Sequence, residues 1–169
     1  SMPEVRGVAN GTFEFGADMR ACGWGWWSRD NAGTAELVPE GRSGSRCVKL
    51  AHAGDKDWAL TNVGRLQVEP RQTWIATAWM KCSETDGASL DIVTLGGGRT
   101  LGWSTGSDGV DGTAGWTQVR AVAVIPPGCD QIYLRVTGGG KATVWVDDVA
   151  LEQGKTLAPP KPKVKVTGW

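Results

Sequence analysis

The sequence predicts an all-β protein, a two-sheet antiparallel β-sandwich of the jelly-roll kind. Three observations carry this. Apolar residues alternate with polar ones in short runs, and no segment repeats with a helical period of 3.6. The 169 residues include 25 glycines, many inside turn signals such as Pro39-Glu40-Gly41, Ala53-Gly54-Asp55 and Gly138-Gly139-Gly140. The runs between the turns number about ten, the punctuation of a sandwich or jelly roll.

In order, strands are expected near 11–15, 24–28, 34–38, 46–52, 58–68, 73–81, 88–95, 116–125, 130–137 and 143–151. Residues 96–115, with Gly96-Gly97-Gly98 and Gly106-Ser107-Asp108-Gly109, read as a long glycine-rich loop carrying Trp103. Ser1-Met2 reads as the remnant of an expression tag. Residues 3–153 form the domain. Residues 154–169, containing Pro159-Pro160-Lys161-Pro162-Lys163, read as a Pro/Lys-rich linker or tail, as in a longer multidomain chain.

Eighteen basic and eighteen acidic residues balance to a net charge of zero. Such a chain has no bulk attraction for nucleic acid or an anionic membrane, and the balance suits an uncharged polysaccharide. No apolar run is long enough to span a bilayer. Ten tryptophans stand against one tyrosine and two phenylalanines. Some must pack the core, since each indole buries a large area. Others suit the apolar C–H faces of sugar rings. The four cysteines, Cys22, Cys47, Cys82 and Cys129, lack C-x-x-C spacing, so zinc is not expected, and two disulfides in an exported protein stand against four buried thiols.

Four motifs carry a family resemblance. They are Asn10-Gly11-Thr12-Phe13-Glu14-Phe15-Gly16 with Gly23-Trp24 and the stretch from Val68 to Lys81 around Trp74 and Trp79. Next come Gly115-Trp116-Thr117 with Ile125-Pro126-Pro127-Gly128, and the closing Val144-Trp145-Val146-Asp147-Asp148-Val149. Together, over residues 8–151, the chain resembles the calcium-containing β-sandwich carbohydrate-binding modules of families 4, 9, 16 and 22, which accompany secreted bacterial glycoside hydrolases. Arg71 and Trp74 depart from that pattern, where glycine and tyrosine are usual.

The resemblance implies a structural Ca²⁺ joining the chain ends. Its ligands would be Glu14 and one of Asp147 and Asp148, with oxygens near Asn10, Thr12 and the 41–45 turn, including Ser45. Strict alternation would send Val144, Val146 and Asp148 to one face and Trp145, Asp147 and Val149 to the other. One aspartate would then face the valine side, a cost that a cation offsets.

In a jelly roll of this order, strands 73–81 and 130–137 are antiparallel neighbours. That pairing places Trp79 and Lys81 beside Gln131, Tyr133 and Arg135, with Lys49 flanking, as a sugar-binding face. Trp103 and Trp27 are expected at its rim. It also brings Cys82 towards Cys129 as the preferred disulfide, leaving Cys22 with Cys47. Trp145 is expected on the opposite sheet, where Trp116, Gln118 and Arg120 would join it as a second platform.

No carboxylate pair or Ser/Cys/His constellation suits catalysis, so the expectation is a non-catalytic, monomeric module. It would bind a plant-type β-glycan such as β-glucan, xylan or mannan, be secreted, and sit beside an attached catalytic domain. The alternatives are a structural or adhesive β-sandwich of a bacterial surface protein and, more remotely, a jelly-roll glycosidase or lyase. A test for glycan binding separates them.

Overall fold

A computed structural model describes residues 7–155. The tag remnant and all but the first two residues of the expected tail lie outside the described residues. The strands are β1 (Gly16–Ala17), β2 (Arg20–Ala21), β3 (Trp24–Ser28), β4 (Thr34–Val38), β5 (Cys47–His52), β6 (Trp58–Asn62), β7 (Leu66–Gln67), β8 (Thr73–Gly96), β9 (Arg99–Val124), β10 (Gln131–Gly138) and β11 (Ala142–Gln153). No helix occurs among the described residues. The β-sandwich expected from the alternation is present.

Two strands pass through both layers. Residues 74–82 of β8 pair with β11 and with residues 114–123 of β9. Residues 89–95 of β8 pair with β10 and with residues 100–109 of β9. The first leaf therefore runs β4-β5-β11-β8-β9 and the second β3-β6-β10-β8-β9, each built from one half of the long hairpin. Register shifts between Met80 and Ala88 mark the corner where the hairpin changes leaf.

The core between the leaves follows the alternation. Ala76, Ala78 and Met80 on β8, Ile132, Leu134 and Val136 on β10, and Val144 and Val146 on β11 are all buried in it. Trp58 stacks on Trp26 at 5.4 Å, and Phe13 packs on Trp24 at 5.0 Å.

Three local expectations fail. The 96–115 segment is mostly strand rather than loop. Gly97 and Gly98 adopt positive φ, +57° and +79°, and turn β8 directly into β9. Glycine there makes a tight hairpin, not a long connection. Residues 11–15 form turns instead of a strand, because Asn10 holds them: its side chain bonds the backbone of Phe15 in both directions and the carbonyl of Cys22. Strict alternation in the closing strand also breaks. Asp147 lies opposite Trp79 and Ala150 opposite Thr77, so β11 carries one extra residue, with Asp148 at φ +50°. This bulge keeps both aspartates out of the core.

The disulfide expectation is overturned, and all four cysteines are free thiols. Cys82 ends the first-leaf half of β8, while Cys129 follows the 125–128 turn that bonds back to Gln72. Ten strand residues, roughly 33 Å, separate Gln72 from Cys82, and a bridge needs Cα atoms within about 7 Å. Burial, reinforced by the Asp147 and Glu40 charges, pushes the Cys47 thiol up to about 12. We expect a thiol reagent to label one cysteine, the exposed Cys22, in the native protein and four after unfolding. Fewer than four labelled after unfolding without reductant would indicate a bridge.

His52, the one histidine, is buried between Asp30 at 3.0 Å and the Gly140 carbonyl at 2.9 Å. Burial opposes its charge, but the hydrogen bonds to Asp30 and Gly140 outweigh it and raise the pKa. The bond from His52 lowers that of Asp30. The pair's stabilisation is therefore present below the unfolded histidine value of about 6.5 and lost as pH rises through the raised folded value. At the acid end it is lost as pH falls through the lowered Asp30 value. An NMR titration of this single imidazole should give a midpoint above about 6.5. A lower midpoint overturns the assignment.

Candidate functional site

The outer faces of the two leaves divide the expected sugar-binding residues. The first leaf carries Lys49 on β5, Trp145 on β11 and Trp79 and Lys81 on β8, with Trp145 directly opposite both lysines. The second leaf carries Gln131, Tyr133 and Arg135 on β10, with Trp27 and Trp103 on its two edge strands. The expected pairing of 73–81 with 130–137 does not form, because β10 binds the later half of β8. Trp79 and Tyr133 therefore do not share a face, and Trp145 shares one with Trp79 rather than lying opposite it. One long hairpin serving both leaves has no signature in the alternation pattern, which reads the same on either side of the corner.

The first-leaf indoles are already covered. The Arg42 guanidinium lies 3.5 Å above the Trp79 ring. Lys49 and Lys81 sit 5.1 and 4.5 Å from the Trp145 ring, and Lys81 is also 5.3 Å from Trp116. The Trp145 N–H donates to Glu40 at 2.7 Å. Cations against indole faces are favourable contacts that a sugar would have to displace.

The second leaf presents the more exposed rings, although Arg29 lies 5.4 Å from the Trp27 ring and Arg135 4.6 Å from the Trp103 ring. Trp27 is 48% exposed and Trp103 55%. They stand on opposite edge strands, four strand spacings or about 19 Å apart across the sheet, and are further offset along it, since Trp27 lies level with Ser89 and Trp103 beside Ile92–Thr94. The floor between them holds small and polar side chains: Ala59, Thr61, Ser89, Gln131 and Thr137. A shallow depression of about 570 Å³ continues it past Ser89 and Thr137 towards Asp86 and Val110. Tyr133 is only 8% exposed and lies under Arg65 at 3.8 Å, so it backs the face instead of presenting a platform.

Asp91, 1% exposed, lies on this face directly opposite Arg135 in the ladder. Its oxygens accept the hydroxyls of Ser89 at 2.8 Å, Ser107 at 2.7 Å and Thr137 at 2.5 Å. A separate cavity of about 560 Å³ opens between the sheet edges at Trp24, Trp26, Arg20 and Glu36. Its two indole N–H groups are engaged by the carbonyls of Asn10 and Ala32.

The residues expected at calcium gather around the 40–46 loop. Asp147, 1% exposed, accepts the Arg42 N–H at 2.8 Å and that of Asp148. Glu14 accepts the Ser45 hydroxyl at 2.7 Å and the Arg46 N–H at 3.1 Å. Asp148 accepts the Ser43 hydroxyl at 2.6 Å and pairs with Arg42 at 3.4 Å. Burial, opposed by the Arg42 and Asp148 N–H bonds, pushes the Asp147 carboxyl up, and the Asp148 and Glu14 charges add to this. The Ser45 and Arg46 bonds hold Glu14 down. Gly44 packs against the Glu14 carboxylate so closely that a Cβ would strike it. Among the described residues, no three carboxylate, histidine or cysteine side chains form a ready cage. Carboxylates and hydroxyls around one loop nevertheless have the donor chemistry of a hard cation. Asn10 is an exception, because its side chain and carbonyl are both engaged by the backbone and by Trp24. Thr12 is exposed beside the group.

No family model matches the sequence, and no curated protein matches it. Solved structures do match. A family 16 carbohydrate-binding module aligns with a TM-score of 0.63 at 21% identity, over 86% of this chain and 98% of that one. This chain has the fold of the β-sandwich carbohydrate-binding modules. A family 61 module, solved with β-1,4-galactotriose, aligns at 0.59 with 15% identity over 89% and 100% of the two chains. The enzymatically active domain of tailspike protein 4 from bacteriophage CBA120 aligns at 0.69 with 16% identity over 88% of this chain, which spans only 21% of the tailspike chain. Family 4 and 22 modules match too, one of them joined to the GH10 module of a Clostridium thermocellum xylanase. At these identities the likeness is one of fold.

Proposed function

We propose that the chain is a non-catalytic glycan-binding module whose ligand lies across the outer face of the second leaf. The observation that carries this reading is the pair of half-exposed indoles, Trp27 and Trp103, at opposite edges of one polar sheet face. Sugar rings stack by their apolar faces on such indoles, while Gln131, Thr61 and Arg135 offer hydrogen bonds to hydroxyls. The binding surface is thus one leaf away from the Trp79-centred groove expected from the sequence.

Among the described residues, the carboxylate at the centre of this face is the buried, hydroxyl-bound Asp91, while Asp57 pairs with Arg29 beside Trp27 and Asp86 and Asp111 line the depression at its end. Glycoside hydrolysis normally uses two carboxyl groups, about 5–9.5 Å apart, so binding without cleavage is the better reading. The module would hold a glycan close to an attached catalytic domain, raising effective concentration outside the cell. A structural Ca²⁺ would be held by Glu14, Asp147 and Asp148 with the loop hydroxyls, neutralising their mutual repulsion. Affinity electrophoresis in gels containing β-glucan, xylan, mannan or acidic glycans tests the proposal. Retardation by at least one polymer supports it, and migration unchanged in all of them overturns it.

A further inference from the structure

The charge pattern of the second-leaf face points to a more specific ligand than the chain's zero net charge implies. We infer that Arg135 is a carboxylate receptor and that the glycan bound on this face carries uronic acids, an inference that rests on the proposed binding face.

Arg135 faces Asp91 across the ladder, yet the two form no ion pair, because hydroxyls engage both Asp91 oxygens. Its Nε is buried without a hydrogen-bond partner. A buried, unsatisfied donor is costly and calls for an explanation, which an external acceptor that shifts the cover over the guanidinium would supply. The guanidinium lies 4.6 Å from the Trp103 ring centroid, a cation–π contact that favours this position. Two residues along the same face, roughly 7 Å away, Arg65 lies over Tyr133, with one nitrogen bonded to the carbonyls of Asn62 and Gly64. Two ring-backed guanidinium groups thus share the centre of a face where the nearest carboxylate in the ladder, Asp91, is buried and engaged by hydroxyls.

A planar guanidinium fixed on an aromatic ring is matched to a carboxylate, which takes two parallel N–H bonds. A sugar hydroxyl supplies one acceptor in no fixed plane and leaves the pairing incomplete. A uronate stacked on Trp103 would present its ring to the indole and its carboxylate to Arg135. Trp27 would then hold a further sugar of the same chain at the opposite edge.

Calorimetry with polygalacturonate, alginate and glucuronoxylan, each beside its carboxyl-reduced form, tests this. At least one acidic polymer should bind about tenfold or more tightly than its reduced form. The difference should shrink with added salt and vanish in Arg135→Gln, with an unchanged melting temperature showing that the variant is folded. Arg135→Lys, which keeps the charge but not the fork, should lose most of the preference. Should Arg135→Gln not fold, the lysine variant and the salt series decide. Reduced polymers binding as tightly as their parents would overturn the inference and leave a neutral glycan module standing. Binding to neither form of any polymer would overturn the binding face as well.

Discussion

Replacing Trp27 and Trp103 together by alanine is expected to abolish glycan binding while leaving the melting temperature nearly unchanged. Both rings are about half exposed, so neither contributes greatly to the core. Truncating a tryptophan at the centre of a binding surface commonly costs about 2 kcal/mol or more, roughly thirtyfold in affinity for each ring. Loss of both would take a micromolar ligand beyond ordinary detection. Trp79→Ala is the contrasting variant. That indole lies on the other leaf under Arg42, so its removal should leave glycan affinity within about twofold, the scatter expected of a distant site. Loss in Trp79→Ala with affinity retained in Trp27→Ala and Trp103→Ala, read by affinity electrophoresis, would return the site to the first leaf.

Asp147→Ala is expected to be the most destabilising single change around the 40–46 loop. It leaves the partly buried N–H groups of Arg42 and Asp148 without their acceptor, at up to about 1–3 kcal/mol for each. With about 2–4 °C lost per kcal/mol in a domain of this size, the melting temperature should fall by roughly 5–20 °C. Calcium should raise the melting temperature of the parent protein, by about 2.7 kcal/mol of added stability at a hundred times its dissociation constant, and chelator should reverse this. The ion should do little for Asp147→Ala. The pH dependence follows from the sign of the shift. The folded Asp147 carboxyl titrates above the unfolded value of about 3.9. Without metal, therefore, the Asp147 contribution to stability falls as pH rises through the window between those values, so the parent should lose stability relative to Asp147→Ala across it. The ion needs the ionised carboxylate, so calcium stabilisation should grow across the same window. Melting curves that calcium leaves unmoved at every pH would remove the metal from the account.

Much of the sandwich was legible because alternation is a local signal. Val144 and Val146, or Leu134 and Val136, declare a buried face within one strand. Asp147 was legible as an unusual residue, though for an incomplete reason. Alternation called for Asp148 on the valine side, whereas a bulge at Asp148 moves it outward and brings Val149 to the core, while the loop N–H groups bury the already outward Asp147. The sugar face was legible as a set of residue types, and Trp27, Trp103, Arg135 and Gln131 were among those expected. Their grouping was not, since Trp79, Lys81 and Lys49 belong to the other leaf.

By itself the sequence determined the all-β class, the core-facing residues of most strands and the adjacent aspartates of the closing strand, while their meeting with Glu14 was implied by the family resemblance. These follow from side-chain period and from the chemistry of adjacent residues, which act over a few positions. Tertiary structure alone decided which half of β8 pairs with β10, and with it which indoles share a face. It also decided that Arg135 is left without its cross-strand partner. Those outcomes depend on a corner in one long hairpin and on three hydroxyls reaching Asp91, one from its own strand and two from the neighbouring strands. No periodicity within a single strand encodes where its neighbours lie.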